Sequence, residues 1–352
     1  MKSKLIAIVI ALTAMGLFFQ GVFSSAGADD FYKGKTIRFV VGAPAGGGYD
    51  TYTRTIARHL GKHIPGNPSM VIENMDGAGS LIAANYVYNK AKADGTVIGV
   101  WISGQIIRGA LGDRSIRFDG RNFGWIGAPS KGSPTCAIMG FTGLKTWEDV
   151  LHSTRPIRMG GVRAGTSYTD VPKILNNVAG THFDVISGYT GTSPVRMAMQ
   201  SREVEGACLG WESMRVSNRS MLDAKGDERL IPFITHKRLE DPEVKDLPLF
   251  TDVIKGEDNL ATYKSWAFSY EFQRPFSFPP NTPKERLETL RKAYAETLRD
   301  PELLAEAKKI KLDVDPVPGE QIDQYVEQIY SMKPKVKENL SFLVRSSQRK
   351  SN

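Results

Sequence analysis

The chain has few of the residues that build covalent or metal chemistry. There are two cysteines, Cys136 and Cys208, and five histidines among 352 residues. Two thiols with no histidine pattern beside them make neither a zinc site nor a redox motif. An exported compartment permits a disulfide between them; two buried free thiols on different strands is the other reading. His59, His63, His152, His182 and His236 are scattered. His59 and His63 share the i, i+4 spacing of a metal pair, but no glutamate follows His59 and Gly61 breaks the helix between them, so no metal is expected. No G-x-S-x-G motif and no cysteine-histidine signature appears, which removes the usual nucleophiles of an exported hydrolase. No run of basic residues tracks a nucleic-acid backbone, and there is no short-period repeat or low-complexity tract.

Long apolar runs are equally scarce. The one present, residues 5–19, follows Lys2 and Lys4 and precedes Ala26-Gly27-Ala28. It is short for a membrane span, which needs about 20 residues, and reads as a secretory signal peptide over residues 1–28 with a mature start at Asp29. Its removal leaves 324 residues, enough for two domains. The formal charge of +8 falls to +6 as Lys2 and Lys4 leave, a mild positive field that favours an anionic ligand.

What is present is an alternation of β-rich runs and helical patterns, the signature of a mostly parallel sheet flanked by helices. A β-α-β-α-β unit is expected from strands at 36–41, 70–74 and 96–101. A second unit begins beyond Lys145, with strands at 157–162 and 183–186, then 206–210 and 230–234. Residues 266–272 read as one more strand. Thr282 as N-cap, Pro283 at the first helical position and Glu285 predict a capping box, Asp300-Pro301 restarts a helix, and Ile322, Tyr325, Val326, Ile329 and Tyr330 lie at helical spacing.

The most informative stretch is residues 40–50, where Val40-Val41 empties into Gly46-Gly47-Gly48 and then a helix. Consecutive glycines let backbone N-H groups turn toward one point, and a helix start adds a partial positive charge there. Such a place suits a carboxylate or phosphate; a tight turn without a ligand is the alternative. A nucleotide loop is excluded in detail, because Gly34-Lys35-Thr36 has Asp29 where a Walker motif needs glycine and runs into a strand.

This stretch, with Val71-Ile72-Glu73-Asn74-Met75-Asp76-Gly77-Ala78-Gly79 and then Asp94-Gly95-Thr96, resembles the solute receptors of tripartite tricarboxylate transporters, the Bug family. The family pattern is roughly V-V-P-F-P-A-G-G-x-x-D, then V-E-N-x-P-G-A-G, then D-G-Y-T, in the same order. Weaker similarity runs through Gly165-Thr166-Ser167, Gly188-Tyr189-Thr190-Gly191, residues 266–268 and the helix at Thr282-Pro283. The resemblance implies an α/β, type II periplasmic-binding-protein fold: two α/β lobes joined by crossover segments near 128–139 and 263–272, with a ligand cleft between them. Lobe 1 would comprise 29–130 and 266–352, lobe 2 residues 131–265. It implies ligand contacts from Pro44, Ala45, Gly46, Gly47, Gly48, Tyr49, Ala78 and Gly79 in the first lobe, and from Gly165, Thr166, Ser167, Tyr189 and Thr192 in the second. Asp50 matches the family aspartate and is expected to brace the loop, since a bare carboxylate would repel an anion.

Ala43, Tyr49, Asp76 and Ser80 depart from the commoner family residues and imply a changed pocket. Arg163 is a further departure, either a bidentate clamp for a second carboxylate or an exposed arginine beside the cleft. The resemblance implies a monomeric periplasmic receptor for a small carboxylate, with membrane transporter subunits as partners, no cofactor, no nucleic acid and no catalysis. A sensory protein presenting the same solute to a signalling partner, or an exported hydrolase, are the alternatives.

Overall fold

The computed structural model describes residues 31–345, so the expected signal peptide and its cleavage before Asp29 lie outside the described residues. Two mixed sheets form the frame. The first has six strands in the order β11-β4-β10-β3-β1-β2 and the second five in the order β7-β6-β8-β5-β9. In the first, β1 (Thr36–Val41), β2 (Ser69–Asn74) and β3 (Val97–Val100) are parallel. Strand β10 (Phe276–Phe278) returns antiparallel between β3 and β4 (Gly124–Ala128), and β11 (Val317–Pro318) closes the edge. The second contains β5 (Pro134–Met139), β6 (Ile157–Gly161), β7 (Phe183–Ser187), β8 (Gly206–Gly210) and β9 (Leu230–Thr235).

Burial on both faces explains why β1 reads as a continuous apolar run. Ile37, Phe39 and Val41 pack with Ile56, Leu60, Phe276 and Leu290 on one side, while Val40 faces Leu81, Val87 and Trp101 on the other. Beneath that second face Trp101, Phe118, Phe123 and Trp125 form an aromatic cluster with centroids 5.0–5.5 Å apart.

Most expected strands form within a residue or two of their sequence limits, and two expectations are corrected. Residues 266–272 are not a strand: the helix Glu257–Ala267 continues into a 3-10 turn at Phe268–Glu271, and the strand begins at Phe276. The alternating aromatics also satisfy i, i+4 spacing, and that period wins because it matches the packing. Trp266 meets Tyr270 at 4.9 Å, while Phe268 and Phe272 both lie against Tyr325 at 5.0 and 5.9 Å. The capping box at Thr282 is not made either. Pro283 keeps an extended ψ of 132°, the helix is Lys284–Thr297, and the Thr282 hydroxyl donates to the Pro279 carbonyl. Asp300 does cap the next helix, accepting from the Glu302 amide with Pro301 beside it.

The two sheets are joined twice. The first joint is only residues 129–133, because β5 already starts at Pro134; the second runs through 272–275. The two run side by side, with the Gln273 amide donating to Ser130 O at 2.9 Å and the Gly132 amide to Tyr270 O at 2.6 Å. The last helix, Pro334–Arg345, packs on Ser167–Val178 and Glu257–Ala267 beside the second sheet.

Cys136 and Cys208 stand directly opposite on antiparallel β5 and β8 and form a fully buried disulfide. The bridge spans 72 residues, for which chain entropy gives a stabilisation of about 4 kcal/mol. The Cys136→Ala, Cys208→Ala variant should therefore lose about that much unfolding free energy, read as a lower urea midpoint. An unchanged midpoint would show that neighbouring strand pairing alone holds the second sheet.

Candidate functional site

The parallel strands of both sheets end toward one another, so the loops after β1, β6 and β7 meet at the mouth of a shared crevice, the usual place for ligands in open α/β sheets. Here the crevice is a cleft of about 610 Å³ counting its mouth. From the first sheet it is walled by residues 42–44, 47–49 and Ile102, and from the second by Val162, residues 166–168, 190–192, Leu209 and Gly210. Glu212, Ser213, Tyr270, Gln273 and Arg274 complete it around the joint.

The glycine-rich turn is set by Asp50. Its buried carboxylate accepts from the Gly46 amide at 2.9 Å, from Arg54 Nε at 2.9 and 3.0 Å, and from Asn74 Nδ2 at 2.9 Å, and Asn74 also donates to Ala43 O. Burial works to raise the Asp50 pKa, but these donors outweigh it and hold the group below its ordinary value. Asp50 is thus turned away from the cleft, and the Gly46 amide is consumed by it. Gly47 N lies 3.4 Å from Pro44 O. The amides of Gly48 and Tyr49 open the helix Gly48–Leu60, where the first turn has no intrahelical acceptors.

The second lobe repeats the device. Asp170, in the first turns of the helix Ser167–Val178, accepts from the Gly165 amide at 3.1 Å and from Trp266 Nε1 at 3.0 Å. Burial is the larger influence here and lifts its pKa to about 6, against the pull of those donors and of Lys173 and Arg108. Between about pH 4 and 6 the folded protein keeps a proton that the unfolded chain has released, so this group's stabilising contribution is full below pH 4 and lost as pH rises through 6. The size is on the order of 3 kcal/mol. Urea melts at pH 4.5 and 7 should show a loss with rising pH in the wild type that Asp170→Asn lacks; parallel behaviour of the two proteins would refute this.

Of the residues expected to touch ligand, Pro44, Gly47, Gly48, Tyr49, Thr166, Ser167 and Thr192 line the cleft. Ala45 and Gly46 are exposed at its rim, where Ser193 Oγ reaches Ala45 O at 3.4 Å. Ala78 and Gly79 lie outside the lining in a turn with φ of 51° and 63°, packed between the lobes beside Arg163, Gln105 and Thr166. Gly165 is buried behind Thr166; Tyr189 points away and donates to Glu203 at 2.7 Å. Arg163 is exposed and outside the lining, so the guanidinium beside the cleft is not the one expected.

That role falls to Arg274, which the sequence reading missed. It is 1% exposed, has a φ of 57°, and donates to Ser213 Oγ at 2.5 Å, Ser130 Oγ at 3.1 Å and Glu212 Oε1 at 3.2 Å. Its guanidinium covers the rings of Tyr52 and Tyr49, at 4.3 and 5.2 Å from their centroids. Glu212 Oε2 accepts in turn from the Ser133 amide. Gln273-Arg274-Pro275 carries no motif, and only the joint between the lobes brings it to the glycine turn. Tyr49, its pKa pushed up by burial to about 12, stays a neutral donor to Gln273 Oε1.

Two α/β lobes, two short joints and a cleft at the strand ends define the type II fold of the periplasmic binding proteins. Among solved structures the chain resembles the periplasmic binding protein BugD, with a TM-score of 0.69 and 20% identity over 89% of this chain and 98% of that one. It is similar also to an R. palustris protein solved with adipate, TM-score 0.68, 18% identity, 87% and 97% covered. MatC from Rhodopseudomonas palustris with bound malate gives 0.67, 18%, 88% and 99%. No family model matches the chain, and no curated protein does.

Proposed function

We propose that this chain is a periplasmic solute receptor of the tripartite tricarboxylate transporter family, which encloses a small carboxylate between its lobes and hands it to membrane subunits. The observation that carries the reading is the open first turn at Gly48-Tyr49 beside a buried guanidinium in the cleft wall. Unpaired amides and a cation at one point suit a carboxylate oxygen pair. The three sequence blocks of the resemblance support the family, and the adipate and malate held by proteins of the same fold support the ligand class.

In this reading residues 1–28 export the chain, lobe 1 comprises 29–130 and 266–352 with its last helix resting on lobe 2, and lobe 2 spans 131–265. The acid docks on the glycine turn, and donors around Thr166, Ser167 and Thr192 complete its shell as the lobes close about 129–133 and 272–275. The protein acts as a monomer and binds without turnover. Thermal unfolding across a panel of carboxylates tests this: a ligand at 100 times its dissociation constant adds about 2.7 kcal/mol. If no acid raises the melting temperature, the proposal fails.

A further inference from the structure

The charged groups in the cleft wall are few enough to read the kind of acid it takes. Only Arg274 and Glu212 among the lining residues carry formal charge, and they are paired with one another at 3.2 Å with side chains 1% and 4% exposed. The wall is therefore neutral in sum. Part of its hydroxyl set is committed: Tyr49 donates to Gln273, Tyr168 to Thr192 and Thr166 to the Arg163 carbonyl.

Two donor sets lie side by side in the first-lobe wall. Arg274 Nε is buried without a hydrogen-bond partner, and its Nη2 holds Ser213, whose Oγ is so close to Gly48 that a Cβ there would lie 2.2 Å from it. The first turn at Gly48 and Tyr49 is thus one serine side chain away from the Arg274 guanidinium. Ile102, Val162, Leu209 and the rings of Tyr168 and Tyr270 give the wall its apolar part.

Resting on the receptor reading above, we infer that the ligand carries a single carboxylate, held between Arg274 and the Gly48-Tyr49 amides, on an apolar or aromatic body lying against the tyrosines. A second acid group would enter a low-dielectric space with no cation of its own and the Glu212 carboxylate on the wall, a costly placement. An ammonium beside the acid gains little, because the Glu212 charge is already paired with Arg274.

Calorimetry on the full mature chain with matched acids tests this: hexanoate against adipate, which differ by one carboxylate, and 3-phenylpropanoate against phenylalanine, which differ by the ammonium. Each monoacid should bind at least tenfold more tightly than its partner. Arg274→Lys, which keeps the charge and loses Nε, should weaken hexanoate at least tenfold. Glu212→Gln should move the hexanoate-to-adipate ratio several-fold toward adipate, a change that a purely structural role for the pair would not produce. Adipate or phenylalanine binding as well as its monoacid overturns the inference while leaving the receptor reading intact. Binding of neither these acids nor any other carboxylate overturns both.

Discussion

Gly104→Ala should lower ligand affinity at least a hundredfold while leaving the unliganded protein as stable as before. Gly104 opens the short helix after β3 and faces the second lobe, where a Cβ would sit 1.9 Å from the Gly165 carbonyl oxygen and 2.9 Å from its carbon. Those atoms are backbone, and Asp170 fixes the Gly165 amide, so the closed arrangement cannot yield locally. Parting the lobes would relieve the conflict, and alanine costs the helix nothing relative to glycine. A substitution that removes the binding-competent state reduces apparent affinity by the fraction of that state lost. Gly48→Ala makes a second test: its Cβ would lie 2.2 Å from Ser213 Oγ and 2.7 Å from Ser213 Cβ, so rotating the hydroxyl away does not free the space and a loss of the same order is expected. Calorimetry gives the affinities, and small-angle scattering should show that ligand no longer compacts Gly104→Ala. Unchanged affinity in that variant would mean that the bound state is more open than the arrangement described.

Glu212→Ala should destabilise the protein by about 3–5 kcal/mol, the cost of leaving a buried guanidinium without its counter-ion. Arg274 is 1% exposed, with its guanidinium over the rings of Tyr49 and Tyr52. Removing both charges, as in Glu212→Leu with Arg274→Met, should recover much of that loss, because apolar replacements of similar volume need no desolvation. Denaturant midpoints of the two singles and the double give the coupling directly. A double variant as unstable as the sum of the singles would show that the pair contributes packing and not charge. The same double variant should fail to bind acid, which separates the role of Arg274 in binding from the stability of the pair.

The histidine at the second-lobe edge follows the same physics of burial. His236 is driven down to about 4 by desolvation, with Lys237 adding to it, and its Nδ1 meets the Tyr263 hydroxyl at 2.6 Å. It stays neutral through the physiological range and so contributes no charge near the joint.

The strands and the glycine turn were legible because each depends on local chemistry, while the aspartate brace was expected from the resemblance. A run such as Thr36–Val41 fits only a strand covered on both faces, and three glycines before a helix leave little choice but an open N-terminus. Position 50 is within one helical turn of Gly46, so its carboxylate can reach that amide whatever the rest of the chain does. Where two periods coincided, as at Trp266–Phe272, sequence could not choose; contact with Tyr325 and Tyr270 decided for the helix. Cys136 and Cys208 could be read as bridged or free until β5 and β8 were seen to lie side by side. Arg163 and Arg274 show the same limit at the site. Both are arginines beside loops, and only the crossing of residues 272–275 between the lobes buries one at the cleft and leaves the other in solvent. Backbone geometry and charge bracing are short-range and are written in the sequence, whereas the assignment of a cation to the pocket depends on residues 60 to 220 positions apart meeting, which folding alone settles.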